Sequence, residues 1–161
     1  MKSTIIFCFA LLATNVFAAP QPSFDNNLSD GSCPFITYLV TLQSGTLVMC
    51  ELNETFDSDR ATIGKMLSFK VIADVRVNNR VAIRTGAMAT GRVKGLTRAT
   101  YNNPASVTIE LTSVQTADGQ FIALGGGEQT MAGVYTGQGM TVYTGTRISA
   151  QITNQTDVHV E

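Results

Sequence analysis

The sequence has no tryptophan, one histidine, and only 14% charged residues against 44% hydrophobic ones. Each shortage removes a class of function. Without Trp, a sugar-stacking surface would have to be built from tyrosine. His159 is the only imidazole, so a Ser or Cys nucleophile elsewhere in the chain has no obvious base. Lys and Arg total 11 and Asp and Glu 12, a net charge of −1. That balance offers no basic footprint for nucleic acid and no polybasic patch for anionic lipid. Low charge with high apolar content also excludes intrinsic disorder. A length of 161 residues fits one domain with a real core.

Long apolar runs are equally scarce. The one at residues 5–13 follows Met1-Lys2 and precedes Val16-Phe17-Ala18. It is too short for a permanent membrane span and reads as a secretory signal at residues 1–18, cleaved after Ala18. No comparable run follows, so no permanent membrane span is expected. The expected location is the periplasm or the medium. Residues 19–32 are rich in Pro, Gln, Asn, Asp and Ser and read as a flexible lead-in. Order is expected over residues 33–152, and residues 153–161 read as a loose tail carrying His159.

Three cysteines are present, and removal of the signal leaves Cys33 and Cys50. Two readings of this pair compete. An oxidising compartment favours a disulfide. A tight hairpin at Ser44-Gly45 would instead put Cys50 opposite Leu39 and leave Cys33 about 20 Å away at strand rise. The compartment argument is preferred.

What the sequence does have is alternation with a period of two. In residues 67–77, Leu67, Phe69, Val71, Ala73, Val75 and Val77 share one face. Ser68, Lys70, Asp74 and Arg76 share the other, as in a half-buried strand. Asn78-Asn79 then reads as a tight turn into Val81 and Ile83. Val107, Ile109 and Leu111 alternate until the phase slips at Ser113-Val114, a bulge signal. Asp118-Gly119 marks a further hairpin. Ile36 to Leu42 and Ile148 to Ile152 alternate as well. The expected fold is all-β: a small barrel, or barrel-like sandwich, of about eight short, mainly antiparallel strands. Its expected core is Phe69, Val71, Val75, Val81, Ile83, Val93, Val107, Ile109, Leu111 and Ile148. Ser44-Gly45-Thr46, Thr85-Gly86-Ala87 and Thr144-Gly145-Thr146 form a weak internal echo, each a glycine turn leading into a strand.

The run of Ser44-Gly45-Thr46-Leu47-Val48, Asp57-Ser58-Asp59, Phe69-Lys70-Val71, Asp74-Val75-Arg76-Val77, Thr90-Gly91-Arg92-Val93 and Asp118-Gly119-Gln120 carries a family resemblance. It resembles the C-terminal β-barrel domain of conjugation or type IV secretion core-complex scaffold proteins, and solitary exported relatives of that barrel. The resemblance covers residues 44–152. Those scaffolds also carry a membrane-spanning helix, a proline-rich linker and a helical antenna. This chain has four prolines and no apolar antenna segment near residue 130. The resemblance implies a bacterial cell-envelope module that binds an envelope protein or assembles with itself.

The remaining chemistry is thin. Asp57, Asp59 and Asp74 lack the framework of a calcium loop, and no metal or cofactor is expected. Glu51, Glu54, Glu110 and Glu128 are the carboxylates a hydrolase would have to use. Gly125, Gly126 and Gly127 fit neither phosphate-loop pattern and read as a flexible loop. No catalytic residue, nucleic-acid contact or small-molecule substrate is expected. A secreted carbohydrate-binding module, or a small hydrolase using surface carboxylates, is the alternative. The expected working surface is residues 124–146, where seven glycines accompany Met131, Val134, Tyr135, Met140 and Tyr143. A mobile backbone bearing Met and Tyr suits adaptable protein contact.

Overall fold

A computed structural model describes residues 37–161. No helix occurs among the described residues, and none of their segments is a helix long and apolar enough to cross a membrane. The strands are β1 (Tyr38–Leu42), β2 (Leu47–Leu52), β3 (Phe56–Asp57), β4 (Met66–Val71), β5 (Val75–Val77) and β6 (Arg80–Ile83). They continue with β7 (Met88–Thr97), β8 (Pro104–Gln115), β9 (Phe121–Gly125) and β10 (Glu128–Thr136). The last are β11 (Thr141–Val142), β12 (Arg147–Ile152) and β13 (Thr156–Val160).

The main sheet runs β10-β8-β7-β4-β2-β12-β9, and β9 returns to pair with β8. The ring β8-β7-β4-β2-β12-β9 is therefore closed, and every one of its pairings is antiparallel. The all-β, barrel-like expectation is met. The described residues form thirteen strands rather than about eight, because residues 72–74 interrupt the long alternation and short two-strand ribbons flank the ring.

Alternation fixes the interior. β2, β4 and β12 each begin exposed and then bury every second residue, and β7 does so as far as Val93. Val48, Cys50 and Leu52 meet Leu67, Phe69 and Val71, then Val93, Ile109 and Leu111, in one apolar core. Nine of the ten expected core residues are buried and Val81 is only half-buried. The cause is a bulge: Val75 pairs with Ile83 but Arg76 pairs with Val81. Ala82 is the extra residue, and it is buried in place of Val81.

One local device recurs at the strand entries. Gly45, Gly64, Gly86 and Gly145 take φ of 85°, 86°, 85° and 84°. Each is third of four residues closed by a backbone bond, such as Thr46 N to Gln43 O at 3.2 Å and Ala87 N to Arg84 O at 3.0 Å. This is the geometry of a type II turn, which demands a positive φ at that position. The Gly64 turn is a fourth member of the expected echo. Ile63 stands there where the others have a hydroxyl residue.

Three sequence expectations are corrected. Residues 153–161 are not a loose tail: β13 pairs with β1 along its length, and Val158 and Val160 are buried. Alternate valines in that segment face the core, a short pattern overlooked among polar neighbours. Secondly, the Ser44-Gly45 turn forms, but β1 and β2 do not pair with each other. Cys50 lies opposite Ile148 and Val71 rather than Leu39. Thirdly, the glycine-dense stretch is not uniformly loose, since Glu128–Thr136 is a nine-residue strand.

Gly127 explains the last point. A Cβ there would lie 2.5 Å from the Ala150 Cβ and 3.1 Å from the Leu111 Cβ. The residue has no side chain because β8 and β12 leave it no room, not because the chain must flex. Here β9 ends, having bridged β8 and β12, and β10 continues along β8. The Gly127 carbonyl accepts from Leu111 N at 2.9 Å.

Two substitutions test this packing in urea unfolding. Ile109→Ala should cost about 2–5 kcal/mol through the cavity it leaves. Gly127→Ala should cost about 1–3 kcal/mol through overpacking. A neutral Gly127→Ala would show that the β8–β12 closure has slack.

Candidate functional site

The residues expected to meet a partner fall on β10, β11 and the loops around them. Val134 is 85% exposed, and Tyr135 and Tyr143 are each 68% exposed. Met131 and Met140 are half-buried against the core. Val134, Tyr135, Met140 and Tyr143 border one groove of about 390 Å³ with Gln138 and Thr141. The structure thus brings four of the five together. Met131 stands apart on β10, paired with Val107.

The groove is shaped by an irregular strand on one side and a pinned loop on the other. β10 follows β8 in register from Glu128 to Ala132, then slips, and Thr136 pairs with Pro104. Residues 133–135 bulge away from the ladder, which projects Val134 and Tyr135 into solvent. Opposite them the backbone is tied down at several points. Gly137 N donates to Thr100 O at 2.9 Å. Met140 N donates to the buried Ser58 Oγ at 2.9 Å, and Ser58 N donates to Met140 O at 2.8 Å. Thr141 Oγ1 donates to Asp57 Oδ1 at 2.6 Å. The Asp59 carboxylate packs where a Cβ on Gly139 would stand. Exposure of this surface comes from a bulge on a braced frame, which sequence reading took for general mobility. Ser58 is the residue that reading missed; a serine between two aspartates gave no sign that its hydroxyl would be buried.

The carboxylates lie elsewhere and are engaged. Glu51 pairs with Lys70 at 2.9 Å and Glu54 with Lys65 at 3.5 Å. Glu110 pairs with Arg92 at 2.9 Å and Lys94 at 3.5 Å, and Glu128 also meets Lys94. The Arg92 hydrogen bond holds the Glu110 carboxyl below its usual range, the wrong direction for a general acid. Asp57 and Asp59 sit by Gly139, whereas Asp74 accepts from Thr85 N at 2.8 Å and Thr85 Oγ1 at 2.9 Å. No set of three acidic, His or Cys side chains converges on a metal-sized site among the described residues. His159 is exposed on β13, and its backbone N donates to Asp118 Oδ2 at 3.0 Å.

Among the described residues Cys50 has no disulfide partner, and its side chain is fully buried. Its expected bridge partner, Cys33, lies outside the described residues. β2 turns Cys50 into the barrel interior, where it is buried in the apolar core. Burial pushes the thiol up to about 11, because the thiolate has no favourable partner there.

No family model matches the sequence, and a search of curated proteins returns no match.

The Cys50 thiol makes a pH prediction. A folded-state pKa raised from 9.0 to about 11 means that folding favours the protonated thiol. Its contribution is complete below pH ~9 and is lost between pH ~9 and ~11, by up to about 2–3 kcal/mol. Urea midpoints measured from pH 7 to 11 should therefore fall more steeply for the native chain than for Cys50→Ala. Parallel curves would place the thiol in contact with water.

Proposed function

We propose that this chain is a non-catalytic binding module of the bacterial cell envelope, exported by its N-terminal signal, whose contact surface is the β10–β11 groove. The observation that carries the reading is the cluster of Val134, Tyr135 and Tyr143. These large side chains are exposed together in a protein that buries most of its other large apolar groups. The groove residues named above are uncharged, and interface cores are depleted in charge and enriched in Tyr and Met. The partner is an envelope protein or a second copy of the chain. The resemblance of residues 44–152 to secretion-scaffold barrels supports that class of role, though a fold alone carries no function. The four outward glutamates support the absence of catalysis, since each is paired with a lysine or arginine.

One observation favours a second reading. Tyr135 and Tyr143 border the same groove as the Gln138 amide, an arrangement that suits a neutral saccharide. With no tryptophan and two of the four tyrosines in this groove, quenching of tyrosine emission that is reduced in Tyr135→Ala reports this surface.

Deleting β10 would confuse binding with stability, because Gly127 and β10 are packed on β8 and β12. Point substitutions avoid that. With a photo-crosslinking residue at position 138 in the intact envelope, one discrete protein adduct is expected. Val134→Asp or Tyr135→Ala should remove it without changing the unfolding free energy by more than ~0.5 kcal/mol. An adduct of doubled chain mass identifies self-assembly. No adduct, together with quenching of tyrosine emission by neutral oligosaccharides, would replace the protein partner with a sugar. An unaffected adduct in both variants would move the contact surface elsewhere.

A further inference from the structure

A different surface, sharing no residue with the β10–β11 groove, carries an unassigned site. The β5–β6 hairpin turns at Asn78 and Asn79, whose φ values of 50° and 65° are those of a tight left-handed turn. Beside it lies an open cavity of about 680 Å³, bordered by Asp74, Asn78, Asn79, Arg80, Arg84, Thr85 and Glu161. That volume falls within the range of small-ligand sites.

Its charges are unevenly satisfied. Asp74 is committed: it accepts from Thr85 N, from Thr85 Oγ1, and from Arg76 at 3.1 Å. Arg80 makes no ion pair among the described residues. Its guanidinium lies over the Tyr38 ring, 3.2 Å from the centroid, and stacking on a ring face fixes the plane of the fork while leaving its edge donors free. Arg84 meets a single carboxylate, Glu161, at 3.4 Å, and both groups are mostly exposed. An exposed pair at that length is weak. Two guanidinium groups thus border one cavity with two carboxylates, Asp74 already committed and Glu161 loosely held by Arg84. A planar fork of N–H donors matches a carboxylate or phosphate better than any neutral group.

We propose that this cavity binds a small oxyanion, a carboxylate or a phosphate, across Arg80 and Arg84, and that the Glu161 side chain is its intramolecular competitor. Arg80 is the prepositioned half of the clamp. Arg84 is the half that must exchange Glu161 for the ligand. The asparagine turn and Thr85 close the walls.

The test is a titration of the purified chain, in separate arms, with succinate and with inorganic phosphate, followed by amide shifts of Asn78, Asn79 and Thr85. Saturable shifts confined to these residues are expected, weakening as salt rises. Arg84→Gln should weaken binding about ten-fold or more, the loss of a charge-assisted contact. Glu161→Gln should tighten it by about two- to five-fold, the release of an exposed ion pair. Arg98→Gln, outside the cavity, should change neither. Response to succinate alone identifies a carboxylate ligand and response to phosphate alone a phosphate ligand. Absence of saturable shifts in both arms overturns the proposal. So does equal affinity in Arg84→Gln, or no tightening in Glu161→Gln. All three substituted side chains are more exposed than buried, and unchanged shifts across β2, β4 and β12 would verify that the variants remain folded.

Discussion

The barrel depends on a reciprocal clamp between glycine turns and strand ends. The Gly45 N–H, at the entry to β2, donates to Ile152 O at the end of β12, and the Gly145 N–H, at the entry to β12, donates to Leu52 O at the end of β2, both at 2.8 Å. Gly86 does the same at the end of β4, on Val71 O, and Gly64 bonds Val93 O within β7, both at 2.8 Å. Each carbonyl so capped belongs to a buried residue. Without the turn it would be a buried acceptor lacking a partner, which costs about 1–3 kcal/mol. A residue with a Cβ could not hold the required φ without strain, so the turn glycines seal the strand ends as well as reversing the chain.

The clamps give the fold an internal symmetry. β2 pairs with β12, β1 with β13 and β3 with β11 in one common register. The symmetry extends to side chains. Thr41 Oγ1 donates to Asp157 Oδ1, and Thr141 Oγ1 donates to Asp57 Oδ1, each at 2.6 Å. Two flanking ribbons are therefore locked by the same pair of residue types. One ribbon, β1–β13, neighbours the hairpin that carries the arginine cavity. The other, β3–β11, braces the tyrosine-bordered groove. Both candidate surfaces stand on halves of one repeated frame, and they differ because the inserted elements differ: β5–β6 in one case, β10 in the other.

Much of this was legible in residue order. Strict alternation in β4, β8 and β12 identified the buried faces, since a period of two leaves a strand only two orientations. Turn chemistry located the Asn78-Asn79 and Asp118-Gly119 hairpins, and the phase slip near Ser113 marked a true bulge, with Thr112 as the extra residue. What failed were features set by distant contacts. β13 is stabilised by β1, more than a hundred residues away, and no local pattern records that pairing. Gly127 looked like a hinge because sequence cannot separate a glycine chosen for φ from one chosen for absence of volume. For the groove, residue type was informative and mechanism was not: Val134, Tyr135 and Tyr143 were expected at a partner surface and are exposed, yet a bulge rather than a loose chain holds Val134 and Tyr135 out.

That bulge bears on how the groove can bind. β10 ends the sheet order, and an unpaired edge strand invites another strand to add to it. The ladder with β8 breaks between Ala132 and Thr136, which twists the outer edge before a long extended segment could pair along it. At the other end of β10, Glu128 and its Lys94 partner place charge on the approach, a second obstacle to edge addition. Both devices oppose backbone recognition and neither covers Val134, Tyr135 or Tyr143. The proposed contact therefore proceeds through side chains. That separates this surface from strand-addition modules, and it makes single side-chain substitutions a sharper probe of its partner than truncation of the strand.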